Sequence, residues 1–514
     1  MIASTGAYLV RVTSPDESTF GDFSSFVVTN PSAKLDQFQS ALPLNTARRS
    51  LQSAAGRIDS ASRFLYAVGG ETAQGVPLRT VEASPLDLYG NVGAWFVSNN
   101  TMTSGRSGLA LVRVDGTVSN RPISYLYALG GTSSTAGTTG TASGTPLDTV
   151  ERAKILDRFD QPQVEAPAIA YPGGLGRGVW TYQIVAVKDP TVDTDNPGGE
   201  TLPSDEIFAK LGMAGNVTLT WSSVPGISGY RVYRTAAANG RSLSEVFLAD
   251  VTRTSTTYTD NGTATPVLSR TDLRPGSPGV WVDLATTASS TRLRHARVNA
   301  AATLAKDPSG SRFLYVVGGK GSCTATSSPS LMDCYEYAPI GNDARTGAFV
   351  AGASPLASPR QRFGLATLDN TTGPPGYSSS QAFVLASGGD GVTKPQTIEY
   401  ASVTAGGLLQ WQPSPNGSGY SATRDGSRSG VAGGHGFAFF GGSGGTYLNS
   451  TNVSGPVVIS GATATWPSWS SGSTSLSVPG LGLFGFTVES GYFYFVGGAS
   501  TDSDAVGDVY QIIY

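Results

Sequence analysis

Short apolar strands that end in a pair of glycines recur six times along this 514-residue chain. Between them lie polar stretches rich in glycine and proline, the kind that form turns. The glycine pairs are Gly69 and Gly70, Gly130 and Gly131, Gly318 and Gly319, Gly388 and Gly389, Gly441 and Gly442, and Gly497 and Gly498. Neighbouring pairs stand at similar intervals, except for one much longer gap between Gly131 and Gly318. The pattern predicts an all-β repeat protein with one long insertion.

A strand with a glutamate follows each of the first four glycine pairs, and an aromatic residue then precedes an arginine at a nearly constant spacing. The glutamates are Glu82, Glu151, Glu336 and Glu399. The aromatic and arginine residues are Trp95 and Arg106, Trp281 and Arg292, Phe349 and Arg360, and Trp411 and Arg424, the last pair slightly further apart than the others. Paired carboxylates can cleave glycosides. A glutamate that returns at one repeat position is instead expected to cap backbone N–H groups or to pair with the arginine.

The order of these landmarks resembles the kelch repeat, in which each copy forms one four-stranded blade of a β-propeller. The resemblance covers roughly residues 30–160 and 270–514 and implies six blades. The glycines would allow positive φ and close backbone approach around the axis. The aromatic side chains would pack between blades.

The two ends of the chain are expected to meet in the last blade. The sixth copy stops at Tyr514, after its third strand. Near the N-terminus, Phe38 precedes Arg49 at the same spacing as Trp95 precedes Arg106. This segment can therefore supply the missing fourth strand and close the propeller, which would remove exposed sheet edges.

The long insertion is predicted to be a separate β-sandwich. It spans residues 161–272 and interrupts the second blade between its third and fourth strands, so that the propeller comprises residues 31–160 and 273–514. Alternating apolar and polar positions in GVWTYQIVAV, with NVTLTW ending at Trp221 and SGYRVYR after it, resemble a fibronectin type III domain. Roughly 100 residues suit a seven-stranded sandwich. Such a unit is expected to protrude from one face of the propeller.

Residues 1–30 differ from the repeats. GAYLVRVTSPDES and SSFVVTNPS resemble the closing strands of an immunoglobulin-like TIG domain, without room for the rest of it. Two interpretations stay open: the chain is part of a longer protein, or these strands form a small edge hairpin.

Composition argues against several kinds of partner. Charged residues make up only 14% of the chain and the net charge is −3, so we expect neither a basic stripe for nucleic acid nor a polybasic patch for a membrane. No apolar run reaches ~18 residues, and the first residues lack a signal-peptide pattern. Abundant Ser, Thr, Gly and Asn are typical of secreted or virion proteins, which predicts an extracellular, cell-surface or virion location.

Cys323 and Cys334 are the two cysteines of the chain and bracket one loop. A disulfide between them would contribute roughly 2–3 kcal/mol by restricting the unfolded chain, and it would imply an oxidising compartment. The alternative is a pair of unbridged loop thiols.

The histidines do not predict a copper enzyme. The kelch family includes galactose oxidase, whose copper needs two histidines, two tyrosines and a cysteine crosslinked to one of those tyrosines. His295 and His435 are the two histidines here, and neither stands in the family's Tyr-His pattern. We therefore expect a propeller without a copper site and without catalytic activity.

Calcium is the one cofactor that the sequence suggests. Carboxylate oxygens are the ligands that calcium prefers, although the spacing here does not match an EF-hand. The residues of the main cluster are Asp189, Asp193, Asp195 and Glu200, and a weaker cluster holds Asp502, Asp504 and Asp508. Solvated turns are the alternative interpretation.

Function is predicted only by class. We expect a non-catalytic extracellular binding or adhesion protein that contacts a glycan or protein partner, with the loops at 131–148 and 319–333 as contact candidates. The alternative is a phage virion component that contacts neighbouring subunits or a receptor. A propeller enzyme acting on carbohydrate is a lesser alternative, since one fold serves unrelated functions.

Overall fold

The protein is all-β, as predicted. The computed structural model describes residues 6–13, 20–28, 35–59, 61–133, 144–286, 291–323, 330–374, 377, 380–391, 398–413, 424–443, 446–461, 463–466, 468–477 and 479–514, the first two ranges by their backbone alone. Short 3-10 turns lie at Arg158–Asp160, Leu284–Thr286 and Ala405–Gly407. Within the described residues, no helix has the length and apolar character needed to cross a membrane.

The strands are numbered in chain order. The first ten are β1 (Gly6–Thr13), β2 (Phe20–Val28), β3 (Gln39–Ala41), β4 (Gln52–Arg57), β5 (Arg63–Val68), β6 (Val81–Leu86), β7 (Phe96–Val97), β8 (Ala110–Val118), β9 (Arg121–Leu129) and β10 (Val150–Lys154). The next eight are β11 (Ala168–Leu175), β12 (Gly178–Lys188), β13 (Ile207–Leu211), β14 (Gly215–Thr220), β15 (Ile227–Arg234), β16 (Val246–Thr252), β17 (Thr257–Asp260) and β18 (Val267–Thr271).

The remaining strands follow the insertion. The first of these are β19 (Val282–Asp283), β20 (Arg297–Val298), β21 (Ala301–Lys306), β22 (Arg312–Val317), β23 (Lys320–Gly321), β24 (Ser330–Leu331), β25 (Tyr335–Ile340), β26 (Val350–Ala351), β27 (Arg360–Gln361), β28 (Gly364–Leu368), β29 (Phe383–Ser387), β30 (Asp390–Gly391), β31 (Ile398–Val403) and β32 (Leu409–Pro413). The last are β33 (Arg428–Ala432), β34 (His435–Phe439), β35 (Gly442–Ser443), β36 (Thr446–Tyr447), β37 (Ser450–Ser454), β38 (Val458–Ser460), β39 (Thr463–Thr465), β40 (Trp469–Ser475), β41 (Gly485–Glu489), β42 (Tyr492–Gly498) and β43 (Val506–Ile513).

Six four-stranded antiparallel sheets recur within the described residues. We call them sheet 1 (β4-β5-β6-β7), sheet 2 (β8-β9-β10-β19), sheet 3 (β21-β22-β25-β26), sheet 4 (β28-β29-β31-β32), sheet 5 (β33-β34-β37-β40) and sheet 6 (β41-β42-β43-β3). The smaller sheets are β1-β2, β20-β23-β24, β27-β30, β35-β36 and β38-β39. In sheets 1 to 5 the strands lie side by side in chain order, with the insertion between β10 and β19, whereas in sheet 6 the N-terminal β3 pairs with the C-terminal β43.

A closed ring of backbone hydrogen bonds joins the six sheets. A residue just before the first strand of each sheet donates its N–H to the carbonyl of the corresponding residue in the preceding sheet, with N–O distances of 2.7 to 3.0 Å. The ring residues in order are Ser50, Gly108, Asn299, Arg362, Gly426 and Leu483, and Ser50 bonds back to Leu483. All six have positive φ, between 53° and 73°. We call this feature the hydrogen-bond ring.

A separate apolar core lies between each pair of neighbouring sheets. In β5, for example, Tyr66 faces sheet 2 while Leu65 faces sheet 6, and both are fully buried. Because both faces are covered, second strands such as β5 and β42 are buried throughout, whereas first strands such as β8 and β28 alternate between buried and partly exposed positions. One aromatic side chain packs in or against each core: Trp95, Trp281, Phe349, Trp411, Trp466 and Phe38.

The N-terminal segment completes sheet 6. β3 pairs with β43, with Gln39 opposite Gln511 and Ala41 opposite Val509. Phe38 packs against Phe440 and Phe495, with ring centroids 5.3 and 5.5 Å away. The expected pairing of the two ends is therefore present. Upstream, β1 and β2 form a two-stranded antiparallel hairpin; its likeness to a TIG domain stays a prediction.

The insertion forms two sheets with a core of their own, between the third and fourth strands of sheet 2. One sheet is β11-β14-β17 and the other is β13-β12-β15-β16-β18. Trp221 and Tyr230 meet edge to face at 5.3 Å in this core. The order differs from that of an immunoglobulin-type sandwich, where the first, second and fifth strands share a sheet. Here the first, fourth and seventh do.

The insertion is tied along its length to the neighbouring sheets. Asp195 pairs with Arg152 of sheet 2 at 3.0 Å and with Arg345 next to sheet 3 at 2.9 Å. The Asn196 Oδ1 atom accepts the N–H of Val280 at 2.9 Å. These contacts hold the insertion at the outer rim, close to the sheets.

Candidate functional site

The repeated glutamates and arginines lie at the junctions between sheets. At the junction of sheets 1 and 2, the Glu151 carboxylate accepts the N–H of Thr103 at 2.7 Å and the Arg106 Nε–H at 2.9 Å. Arg106 also donates to the carbonyl of Gly130 at 2.8 Å, and its own carbonyl accepts the N–H of Gly70 at 2.8 Å. One arginine thus links the glycine pair of sheet 1 to that of sheet 2.

The same arrangement recurs at three other junctions, where Arg48 pairs with Glu82, Arg297 with Glu336 and Arg360 with Glu399. All of these side chains are buried. Burial raises the pKa of Glu336, but hydrogen bonds from His295 and the Arg297 guanidinium outweigh it and hold the pKa below its ordinary value. A buried, fully paired carboxylate of this kind serves structure rather than catalysis.

Two of the predicted arginines were wrong. Arg48, and not Arg49, pairs with Glu82, and Arg297, and not Arg292, pairs with Glu336. Arg292 instead forms a half-exposed pair with Asp148 at 2.8 Å. The spacing counted from the aromatic residue misses both because the preceding loops differ in length.

Sheets 5 and 6 depart from the pattern. In sheet 5, Asn452 takes the place of the glutamate and accepts the Arg424 Nε–H at 2.8 Å. In sheet 6 the equivalent positions hold Leu481, whose carbonyl accepts the N–H of Gly441 at 2.9 Å, and Tyr510. The same backbone junction therefore forms without a charged pair.

The predicted glycine pairs end the second strand of each sheet. In five sheets both glycines have positive φ. The pair predicted for sheet 5 is wrong by one residue: Phe440 and Gly441 hold the equivalent positions, with φ of 50° and 72°, and Gly442 follows in β35. A Cβ on Gly69 would lie 2.7 Å from the Arg106 carbonyl oxygen. These positions need glycine because the backbone of the next junction passes against them.

Cys323 and Cys334 form a disulfide, with their Cα atoms 6.0 Å apart. The bond closes the loop that follows Gly319 in sheet 3. His295 and His435 lie apart, the first at the junction before sheet 3 and the second in β34 of sheet 5. The His295 Nδ1 atom is 3.3 Å from the Glu336 carboxylate, so this histidine belongs to a junction.

The four carboxylates of the expected calcium cluster are not brought together. Among the described residues, none of the four belongs to a group of three possible metal ligands whose atoms lie within 4.8 Å of one another. Asp195 is used by Arg152 and Arg345, and the Glu200 carboxylate accepts bonds from Arg231 and Tyr233. Asp502 accepts the Tyr447 hydroxyl at 2.9 Å, and Asp504 caps the backbone of Ser500. These positions give the calcium prediction no support.

Residue pairs that are mostly buried surround the hydrogen-bond ring, with Lys320, Asp390 and Asp425 partly exposed among them. The residue before each ring residue pairs with the residue after the glycine pair of its own sheet, or after Phe440 and Gly441 in sheet 5. These pairs, which we call the ring mouth, are Arg49 and Glu71, Ser107 and Thr132, Val298 and Lys320, Gln361 and Asp390, Asp425 and Gly442, and Gly482 and Ala499. The sequence contains no motif for the ring mouth, since its members are adjacent only after the sheets assemble.

Charges in the ring mouth are held in a partly buried network. Arg362 reaches Asp425 at 2.7 Å and Asp390 at 3.3 Å. Burial and the nearby Asp390 and Asp502 carboxylates raise the pKa of Asp425 to about 6, against the effect of Arg362. Across the ring, Arg49 pairs with Glu71 at 2.9 Å, both fully buried. A carboxyl with a strongly shifted pKa, such as that of Asp425, is more frequent at functional sites than elsewhere.

A second candidate lies where the insertion meets sheet 1. Two adjoining cavities of about 340 and 380 Å³ share Asn99 and Thr271 as lining residues. We call them together the seam cleft. Sheet 1 contributes Asn45, Trp95, Phe96, Val97, Asn99 and Asn100, and the insertion and its return segment contribute Gly198, Gly199, Glu200, Arg231, Tyr233, Ser269, Arg270, Thr271, Asp272, Leu273, Arg274, Ser277 and Val280.

Asp272 is the unusual group in the seam cleft. It forms no ion pair among the described residues and lies close to other carboxylates. Burial, together with the nearby Glu245 and Glu200, raises the pKa of Asp272 to about 7. Nothing in the sequence distinguishes this aspartate, because its surroundings come from segments far apart in the chain.

Comparisons with known proteins find only a distant structural similarity. Neither a protein-family model nor a curated protein matches it. Among solved structures, that of YjhT aligns with a TM-score of 0.42 at 10% identity, covering 91% of this chain and 95% of that chain. This likeness is distant and says nothing about function.

Proposed function

We propose that the protein is a six-bladed kelch-type β-propeller that acts outside cells as a non-catalytic binding protein. The observation that carries this proposal is the hydrogen-bond ring. It joins one residue from each of the six four-stranded sheets and returns to its start. The arginine junctions and the pairing of β3 with β43 support the same architecture. Propellers closed in this way are rigid scaffolds whose loops carry the contacts.

The insertion is proposed as a fibronectin type III-like module with a rearranged strand order. Moving the β12–β13 hairpin to follow β17 in the chain would give its two sheets the strand neighbours of such a sandwich. The Trp221 and Tyr230 pair in its core supports this assignment.

The partner is proposed to contact the side of the propeller that carries the ring mouth. The connections that start at the glycine pairs begin and end on that side and are long, such as residues 130–149 and 318–334, of which residues 134–143 and 324–329 lie outside the described part of the chain. Several connections at the other end are tight turns, such as residues 119–120, 433–434 and 490–491. The disulfide at Cys323 stiffens one of the long connections, which is compatible with an oxidising environment.

Binding to a glycan array and to intact cells of the source tests this proposal. Lys320 lies in the ring mouth, partly exposed, and Lys320→Glu should weaken binding at least about tenfold, or ~1.4 kcal/mol. The matched control is Lys210→Glu, an exposed lysine on β13 of the insertion, which should bind like the wild type. Equal losses in both variants, or none in either, would refute this assignment of the contact face.

Assembly into a virion is the second candidate. Large apolar side chains are exposed on the insertion, with Phe208 58%, Leu243 70% and Leu268 70% exposed. Exposed apolar groups can mark contacts with other subunits. Electron microscopy of the protein in its native material separates the two: a regular place in a particle favours assembly, and a free or cell-tethered form favours adhesion.

A further inference from the structure

We propose that the seam cleft is a binding site for a short saccharide, held by Asp272, Asn99 and Asn100 beside the exposed apolar side chain of Val97. This site is separate from the ring mouth. It would work whichever side of the propeller meets the partner.

The size and lining of the seam cleft carry the inference. Each of its two cavities, of about 340 and 380 Å³, lies at the lower end of the range for small-molecule sites, and together they form one longer depression. A sugar presents apolar C–H faces beside hydroxyl groups that both donate and accept. The cleft offers the matching mixture, with Trp95, Phe96 and Val97 beside amide, hydroxyl and carboxyl groups.

The side-chain amides of Asn99 and Asn100 are oriented by hydrogen bonds from their N–H groups, while their oxygens stay unpaired among the described residues. Asn100 donates from Nδ2 to the carbonyl of Pro278 at 2.9 Å, and Asn99 donates weakly to the carbonyls of Thr271 and Asp272. Among the described residues, neither amide oxygen accepts a hydrogen bond. Both therefore remain available to hydroxyl donors of a ligand, in an orientation that the other half of each amide already sets.

The charges around Asp272 make binding depend on pH. Glu245 and Glu200 disfavour its ionised form and Arg274 favours it; Arg231, Arg270 and Tyr233 also line the cleft. Arg231 is already paired with Glu200 and Asp250. With a pKa of about 7, the Asp272 carboxyl can donate its proton to a sugar oxygen at pH 6 and loses that donor at pH 8.

Saturation-transfer NMR of the full chain with methyl glycosides and short neutral oligosaccharides tests the proposal at both pH values. We expect binding at pH 6 that weakens several-fold at pH 8. Asp272→Asn keeps a donor at every pH, so it should bind equally at pH 6 and pH 8. Asn99→Ala should weaken binding about tenfold. The control Asp205→Asn removes an exposed insertion carboxylate outside the cleft and should match the wild type.

Several results would overturn the assignment: no signal from any glycoside at either pH, binding that does not change with pH, or full binding by Asn99→Ala. If Asn99→Ala does not fold, hydrogen exchange of the wild type, measured with the glycoside that binds most tightly, locates the binding site. Protection of residues 95–100 and 269–273 supports the cleft, and protection elsewhere refutes it. Lys320→Glu should keep saccharide binding, so failure here is distinguishable from failure at the ring mouth.

Discussion

Four of the six sheets and the insertion each bury an arginine–carboxylate pair, but in different settings. In the sheets, pairs such as Arg106 and Glu151 stand at junctions and recur from one sheet to the next. In the insertion, Arg234 pairs with Asp260 at 2.6 Å, and Asp260 also accepts the Tyr182 hydroxyl at 3.0 Å. This arrangement is not part of a repeat. A repeated pair reports a repeated geometry, so its role can be inferred from sequence. A single pair carries no such signal.

Removing one arginine should have the largest effect. Arg106→Ala leaves Glu151 buried without its charged partner and should cost about 3–5 kcal/mol of unfolding free energy, and Arg234→Ala should do the same to the insertion. Urea unfolding followed by circular dichroism measures the loss. Arg292→Ala, which removes a half-exposed pair, should cost less than about 1 kcal/mol. Similar losses for Arg106→Ala and Arg292→Ala would contradict the structural role of the junction pairs.

Removing the disulfide should have the next largest effect and should spare the insertion. Replacing Cys323 and Cys334 by serine opens a short loop and should cost about 2–3 kcal/mol. Reductant should shift the thermal transition of the wild type but not of the variant. Both cysteines lie outside the insertion, so a loss of hydrogen-exchange protection in β12 and β14 at the shifted temperature would show that the two regions unfold together.

The seam between the two regions should respond to pH. Asp272 has a folded pKa of about 7, above the ordinary value of about 3.9, so the folded state binds more protons between these values and stability falls as pH rises through that window. Asp272→Asn removes this loss. It should stabilise the protein by about 1–2 kcal/mol at pH 8, after allowance for solvent, and not at pH 4. Thermal melts at both pH values decide, and a gain that is equal at both would contradict the assignment.

Copying the sheet 6 junction into sheet 4 should have the smallest effect. Arg360→Leu with Glu399→Tyr reproduces the residues at Leu481 and Tyr510, and the pair of changes should alter stability by no more than about 1 kcal/mol. Arg360→Leu alone strands Glu399 and should cost several times as much. A double variant as unstable as the single one would show that sheet 6 relies on its own surroundings.

Much of the sheet architecture was readable because its signals repeat. The segment at Phe38 was expected beside the last strands, and β3 pairs there. The glutamates were expected to cap and to pair, and Glu151 does both. The arginine register was harder: Arg48 and Arg49 are adjacent, and only the direction of the side chains decides which one reaches Glu82.

The candidate sites could not be found in the sequence. Asp425 and Arg362 come together only through the ring, and Asp272 comes close to Glu200 and Glu245 only when the insertion folds. Trp466 also escaped detection, because sheet 5 lacks the glutamate that marks the other copies. In the insertion, the order of strands could not be predicted because each strand occurs once.

The hydrogen-bond ring has a consequence for the electric field at its centre. Each ring residue donates its N–H to one neighbour and accepts the N–H of the other at its own carbonyl, so these bond dipoles run head to tail around a loop. Dipoles that circulate in this way largely cancel along the axis, in contrast to the aligned dipoles of a helix. A charged group at the ring mouth therefore meets a nearly neutral backbone, and whether it is attracted or repelled depends on Lys320, Arg362, Asp390 and Asp425.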